Sequence, residues 1–177
     1  MKINWPKITI DKLAAIVCKQ LEKNNIDATI VGGACVSIYS ENKYVSSDID
    51  IVSFNELKDI KPILAEIGFL QKGKGNIFDR KNCPFYLQFV SPPLAIGREP
   101  VKKTNLIKTK MGTIKLLTAT DCVKDRLAAY FYFNDPQSME QAVLVAKQNK
   151  VSLSEVKKWA EKENQIEKYN NFAKILI

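Results

Sequence analysis

The segment from Ile30 to Phe54, I-V-G-G-A-C-V-S-I-Y-S-E-N-K-Y-V-S-S-D-I-D-I-V-S-F, limits what this chain can fold into more than any other part of it. Ala28 to Val31 predicts a short strand that runs straight into Gly32-Gly33. Ala34 to Tyr39 then predicts a short helix. In Ser47 to Phe54, Ile49 and Ile51 alternate with Asp48 and Asp50, the two-residue period of a strand. Glycines between a strand and a helix leave room for backbone N–H groups to approach an anion, and the helix adds the positive end of its dipole. Two carboxylates at i and i+2 share one face of a strand, about 6.5–7 Å apart, and can converge on a divalent cation. Mg²⁺ takes one or two carboxylates together with phosphate oxygens, so the stretch as a whole predicts a metal–nucleotide site.

The rest of the chain predicts a mixed α/β (α+β) part over residues 1–117 and a helical part over residues 118–177, packed as one unit. Leu13, Ile16, Val17 and Leu21 place a helix over Asp11 to Asn24, and Leu57, Ile60, Ile63 and Leu64 another over Asn55 to Ile67, where Pro62 signals a kink. Phe69 to Val90 is strand-like, clearest at Phe85 to Val90, and ends at Ser91-Pro92-Pro93. Leu106 to Leu117 predicts a hairpin turning near Met111-Gly112. Helices follow over Ala119 to Phe133, Pro136 to Asn149, Ser152 to Asn164 and on to the C-terminus. Asp135-Pro136 is an N-cap followed by proline at the first helical position, and Ser152 with Glu155 a capping box.

Composition removes whole classes of chemistry. With no histidine there is no Ser-His-Asp triad and no histidine-bound zinc. Cys18, Cys35, Cys83 and Cys122 are scattered, the pattern of free thiols in a reducing cytosol rather than of a disulfide framework. No apolar run approaches the ~18 residues of a membrane helix, and Trp5, Pro6 and Lys7 interrupt the place of a signal peptide. The expectation is a cytoplasmic protein without membrane contact. Lys and Arg number 27 against 19 acids, a formal net charge of +8 that suits anionic partners. Only Arg80, Arg98 and Arg126 are arginines, which singles each out for a phosphate or carboxylate contact.

Gly32-Gly33, a short helix and Asp48-Ile49-Asp50 preceded by Ser47 resemble the signature of the polymerase-beta-like nucleotidyltransferases, most of all its small prokaryotic members. The resemblance is tight over Ile30 to Phe54 and looser over Phe85 to Pro93 and Thr118 to Val145. It implies a mixed β-sheet nucleotidyltransferase core flanked by helices, with the aspartates at its rim and a C-terminal helical region behind. It also implies transfer of a nucleoside monophosphate from a nucleoside triphosphate such as ATP, with Mg²⁺ (or Mn²⁺), to a hydroxyl acceptor: a small molecule, an RNA end or a protein. Active members add a third carboxylate from a later strand. The counterpart position here reads Gln88, with Asp79 and Glu99 the nearby acids that could replace it.

On this reading Asp48, Asp50 and Gln88 occupy the catalytic positions. Asp48 and Asp50 hold the metal, while Gly32, Gly33, Ser47, Lys124 and Arg126 bind the nucleotide. Asp121, Lys124 and Asp125 fall on one face of the first C-terminal helix. Tyr130 to Phe133 are consecutive aromatics, assigned mainly to packing, and Arg98 lies in a proline-bounded loop. The alternative is a catalytically impaired nucleotide-binding module that acts with a protein partner in a toxin–antitoxin or regulatory pair.

Overall fold

The computed structural model describes residues 3–176. After a 3-10 turn at Trp5–Lys7, the chain forms α1 (Ile10–Lys23), β1 (Ala28–Val31), α2 (Gly32–Tyr39), β2 (Asp48–Ser53), α3 (Leu57–Ala65), β3 (Leu70–Gln71), β4 (Ile77–Asp79) and β5 (Tyr86–Val90). It continues through β6 (Ala95–Ile96), β7 (Glu99–Pro100), β8 (Thr104–Lys108) and β9 (Thr113–Leu117). Four helices follow: α4 (Ala119–Phe133), α5 (Pro136–Gln148), α6 (Leu153–Lys162) and α7 (Ile166–Leu176). Seven strands build one mixed sheet in the order β3-β4-β5-β2-β1-β9-β8, and β6-β7 stand apart as a small hairpin. The α+β class expected from the sequence is the class observed.

The sheet centre positions the site. β1 and β2 run antiparallel with Val31 opposite Asp50, and β2 and β5 run parallel with Asp48 opposite Tyr86 and Asp50 opposite Gln88. The alternation turns Ile30, Ile49, Ile51, Leu87 and Phe89 into the core, where α1 contributes Leu13, Ala14, Val17 and Leu21. α2 starts two residues earlier than the sequence suggests, so Gly32 and Gly33 are its first residues rather than a turn before it. α3 runs through Pro62 without ending there. Proline cannot bond back one turn, but it is exposed, so the freed carbonyl meets water.

The C-terminal helices share the same continuous apolar core. Phe131 stacks on buried Trp159, with ring centroids 5.4 Å apart. Of the four consecutive aromatics Phe131 is buried, whereas Phe133 points to solvent. The Trp159 indole N–H donates to the Ile96 carbonyl (3.3 Å), and the buried Glu163 carboxylate accepts from the Arg98 backbone N–H (2.8 Å) and from the Tyr132 hydroxyl. Both contacts fasten the β6-β7 hairpin to the helices. Its turn needs Gly97, at φ +58°, where a Cβ would lie 2.7 Å from Glu163 Oε1. Arg98 thus serves this junction through its backbone. All four cysteines are free, and among the described residues no helix is long and apolar enough to cross a membrane. Glu163→Ala removes the charged acceptor of the part-buried Arg98 N–H and Tyr132 hydroxyl bonds, so it should lower stability by about 1–3 kcal/mol in urea unfolding.

Candidate active site

At the start of β2 the strand period places Asp48 and Asp50 on the face opposite Ile49 and Ile51. Gly32 approaches so closely that a Cβ there would stand 2.5 Å from Asp50 Oδ2, and its φ of +66° is one that residues with side chains rarely adopt. Gly33 fits as tightly: a Cβ there would come 2.7 Å from Ser46 Oγ. Ser46 Oγ donates to Asp48 Oδ1 (2.9 Å), the Ser46 backbone N–H donates to Ser37 Oγ (2.9 Å), and Ser37 Oγ donates to the Gly33 carbonyl (3.2 Å). The first turn of α2 and the Asp pair are therefore tied together by two buried serines.

Electrostatics marks Asp50 as the strained member. Burial, and next the charge of Asp48, push its carboxyl up to about 6; Arg126 opposes this and Asp125 adds to it. Two carboxylates held this way repel each other, and a divalent cation between them relieves that repulsion. Two carboxylates on one strand face are hard oxygen donors of the kind Mg²⁺ takes, so the donor set fits the metal. On the neighbouring strand, Gln88 shares the face of Asp50, and Tyr86 that of Asp48. Burial and the adjacent Asp48 carboxylate raise the Tyr86 phenol, keeping it a hydroxyl beside the pair.

The residues singled out from the sequence divide. Gly32, Gly33, Asp48, Asp50 and Gln88 come together. Ser47 is exposed and turned toward Tyr86; the serine bonded to Asp48 is Ser46. The two-residue period already contained that answer, since Ser46, Asp48 and Asp50 share parity. Arg126 bears on Asp50 from α4, but its Nε and Nη2 donate to Asp125 Oδ2 (3.0 and 2.6 Å). Lys124 turns elsewhere, toward Asp121 and Glu99, so of the three charged residues expected on one helix face Asp121 and Lys124 pair, while Asp125 bonds Arg126. Glu99 is engaged by Lys124 and Lys162 in that same second cluster. Asp79 is exposed on β4, on the far side of β5 from the aspartates. Tyr86 and Ser37 were not singled out from the sequence, because each enters through pairing or packing, and Asp125 was placed on a helix face without its partner Arg126.

Comparison with known proteins agrees with this geometry. Residues 9–68 match the model of a family described as "Nucleotidyl transferase of unknown function (DUF2204)". An antigenic nucleotidyltransferase-like protein from Paracoccidioides brasiliensis superposes with a TM-score of 0.60 at 12% identity, over 77% of this chain and 74% of its own. The fold is that of the polymerase-beta-like nucleotidyltransferases. The antibiotic-resistance factor ANT(2'')-Ia has it too: its solution structure gives a TM-score of 0.51 at 11% identity, over 92% of this chain and 88% of that one. The same protein in complex with adenylyl-2''-tobramycin gives 0.51 at 10% identity, over 95% and 98%. No curated protein matches in sequence.

Two outcomes test the site. Gly32→Ala forces a left-handed backbone on a residue with a Cβ, at a cost of about 1–3 kcal/mol, and pushes on Asp50; calorimetry should show a lower melting temperature. Asp50 binds its proton more tightly folded than unfolded, so its contribution to stability is largest near pH 4 and is lost as pH rises to about 6. Asp50→Asn should therefore raise the melting temperature at pH 7–8, and the gain should shrink toward pH 4.

Proposed function

We propose that this chain transfers a nucleoside monophosphate from a nucleoside triphosphate, such as ATP, to a hydroxyl acceptor, with Mg²⁺ or Mn²⁺ held by Asp48 and Asp50. The observation that carries this reading is the joining of the Asp pair to the first turn of α2, with Gly32 against Asp50 and Ser46 on Asp48. A bound divalent cation supplies charge neutralisation for the triphosphate and for the pyrophosphate that leaves. The backbone at Gly32 and Gly33 receives phosphate oxygens at the positive end of α2. Ser46 and Ser37 fix Asp48 so that its carboxylate needs no reorganisation. Arg126, kept charged by Asp125 despite its burial, adds positive potential on the α4 side. In this reading residues 1–117 carry the chemistry, and residues 118–177 form the wall of the cleft. One structural neighbour was solved with an adenylylated small molecule, which favours a small-molecule acceptor over an RNA end or a protein.

Gln88 favours a second reading. It lies opposite Asp50, where a proton acceptor for the incoming hydroxyl would stand, and an amide cannot take that proton. Loss of a general base costs about 10²–10⁴-fold in rate. A module so impaired would bind nucleotide and act through a protein partner. Pyrophosphate release from the four nucleoside triphosphates with Mg²⁺ or Mn²⁺, assayed with a panel of hydroxyl acceptors, separates the two. For a transferase, Asp48→Asn should abolish metal-dependent release, while Gln88→Glu should raise it by about tenfold or more. Metal-dependent nucleotide binding with no release from wild type, but release from Gln88→Glu, would establish the impaired module. Release that Asp48→Asn leaves intact would refute both.

A further inference from the structure

A second charged site lies between the β6-β7 hairpin, the start of α4 and α6. This cleft, about 510 Å³ in volume, is lined by five lysines against only three carboxylates. Its floor is Lys124, whose side chain is 7% exposed. The Lys124 ammonium stands 3.4 Å from Asp121 Oδ1 and 3.7 Å from Glu99 Oε1, beyond the 2.7–3.2 Å of an N–H···O bond. Glu99 is shared: Lys162 reaches its other oxygen at 3.4 Å. Although burial raises the Glu99 carboxyl, Lys124, Lys162 and Lys102 together hold it below the usual range. Asp121 is also divided, since its Oδ2 accepts from Thr118 Oγ1 at 2.9 Å. The acids are thus over-subscribed, and the lysines keep ammonium donors facing the cleft.

The lining also indicates what would fill it. No arginine is present, so no planar fork selects a carboxylate; lysines act as point charges and reward high charge density. α4 opens here with Thr118 as its cap, so the helix dipole adds positive potential. Trp159 lines the cleft but is buried, so it offers no face for a base. The volume is that of a small ligand. We propose that this cleft binds a compact oligophosphate, either pyrophosphate or the phosphate tail of a nucleotide, through Lys102, Lys124 and Lys162 and without a divalent cation. It shares no residue with the Gly32–Asp50 site.

Calorimetric titration with inorganic pyrophosphate in EDTA tests this apart from nucleotidyl transfer, because the chelator removes the metal on which transfer depends. Wild type should bind, and more weakly as salt rises. Lys102→Gln with Lys162→Gln, both at exposed positions, should weaken binding about tenfold while the melting temperature holds. Lys124→Met should weaken it further. Asp48→Asn should leave it unchanged, whereas an anion lodged at Gly32 would bind more tightly once that repulsion is removed. ATP in EDTA names the source: affinity equal to that of pyrophosphate assigns the phosphate chain alone, and tighter binding assigns the nucleotide. No binding at millimolar pyrophosphate, unchanged affinity in the double variant, or a response to Asp48→Asn would overturn the proposal.

Discussion

The contact between Gly32 and the Asp50 carboxylate is the constraint around which the centre of this molecule is organised. It exists because β1 and β2 pair antiparallel with Val31 opposite Asp50, so the chain leaving β1 must turn into α2 directly beside the carboxylate. Only a residue without a Cβ can make that turn there. The same approach buries part of Asp50 and raises its affinity for a proton, with Asp48 adding repulsion. The fold thereby holds two like charges together, and two serines from α2 and the segment before β2 keep the arrangement from relaxing. Strain of this kind is common at functional sites, where the surrounding structure over-determines it.

Register decides what the site lacks. Parallel pairing of β2 with β5 sets Gln88 opposite Asp50 and Tyr86 opposite Asp48. The face therefore holds two carboxylates, an amide and a phenol, with Arg126 bearing on it while bonded to Asp125. On the proposed reading such a site would favour holding a metal-bound triphosphate over generating an alkoxide, because Asp125, the other carboxylate that acts on Asp50, is bonded to Arg126.

Charge elsewhere is sorted by burial. In the C-terminal half Glu163 is fully used in fastening the hairpin, and Lys168 Nζ donates to the Phe131 carbonyl (2.5 Å) and to Asn134 Oδ1 (2.6 Å) at the end of α4. These groups are satisfied and structural. The lysines around Glu99 instead share its one carboxylate, and they concentrate part of the excess positive charge in one cleft.

The sequence by itself determined the strand–Gly-Gly–helix–Asp-x-Asp order, the bounds of β1, the hairpin about Met111-Gly112, and the starts of α4 and α5. Each is set by local chemistry: alternation of apolar residues, glycine where the backbone needs it, and caps such as Thr118 and Asp135. Gln88 was singled out through the resemblance, as the residue in the place of a third carboxylate, and the β2–β5 register sets it opposite Asp50. Tertiary structure decided which serine serves Asp48, which of Lys124, Asp125 and Arg126 faces the aspartates, and where Glu99 goes. Those depend on how a helix is rotated against the sheet, and α4 buries residues on several sides, among them Cys122, Val123, Lys124, Leu127 and Phe131. A helix packed all around carries no single apolar stripe, so its own sequence cannot say which charged residue meets which partner.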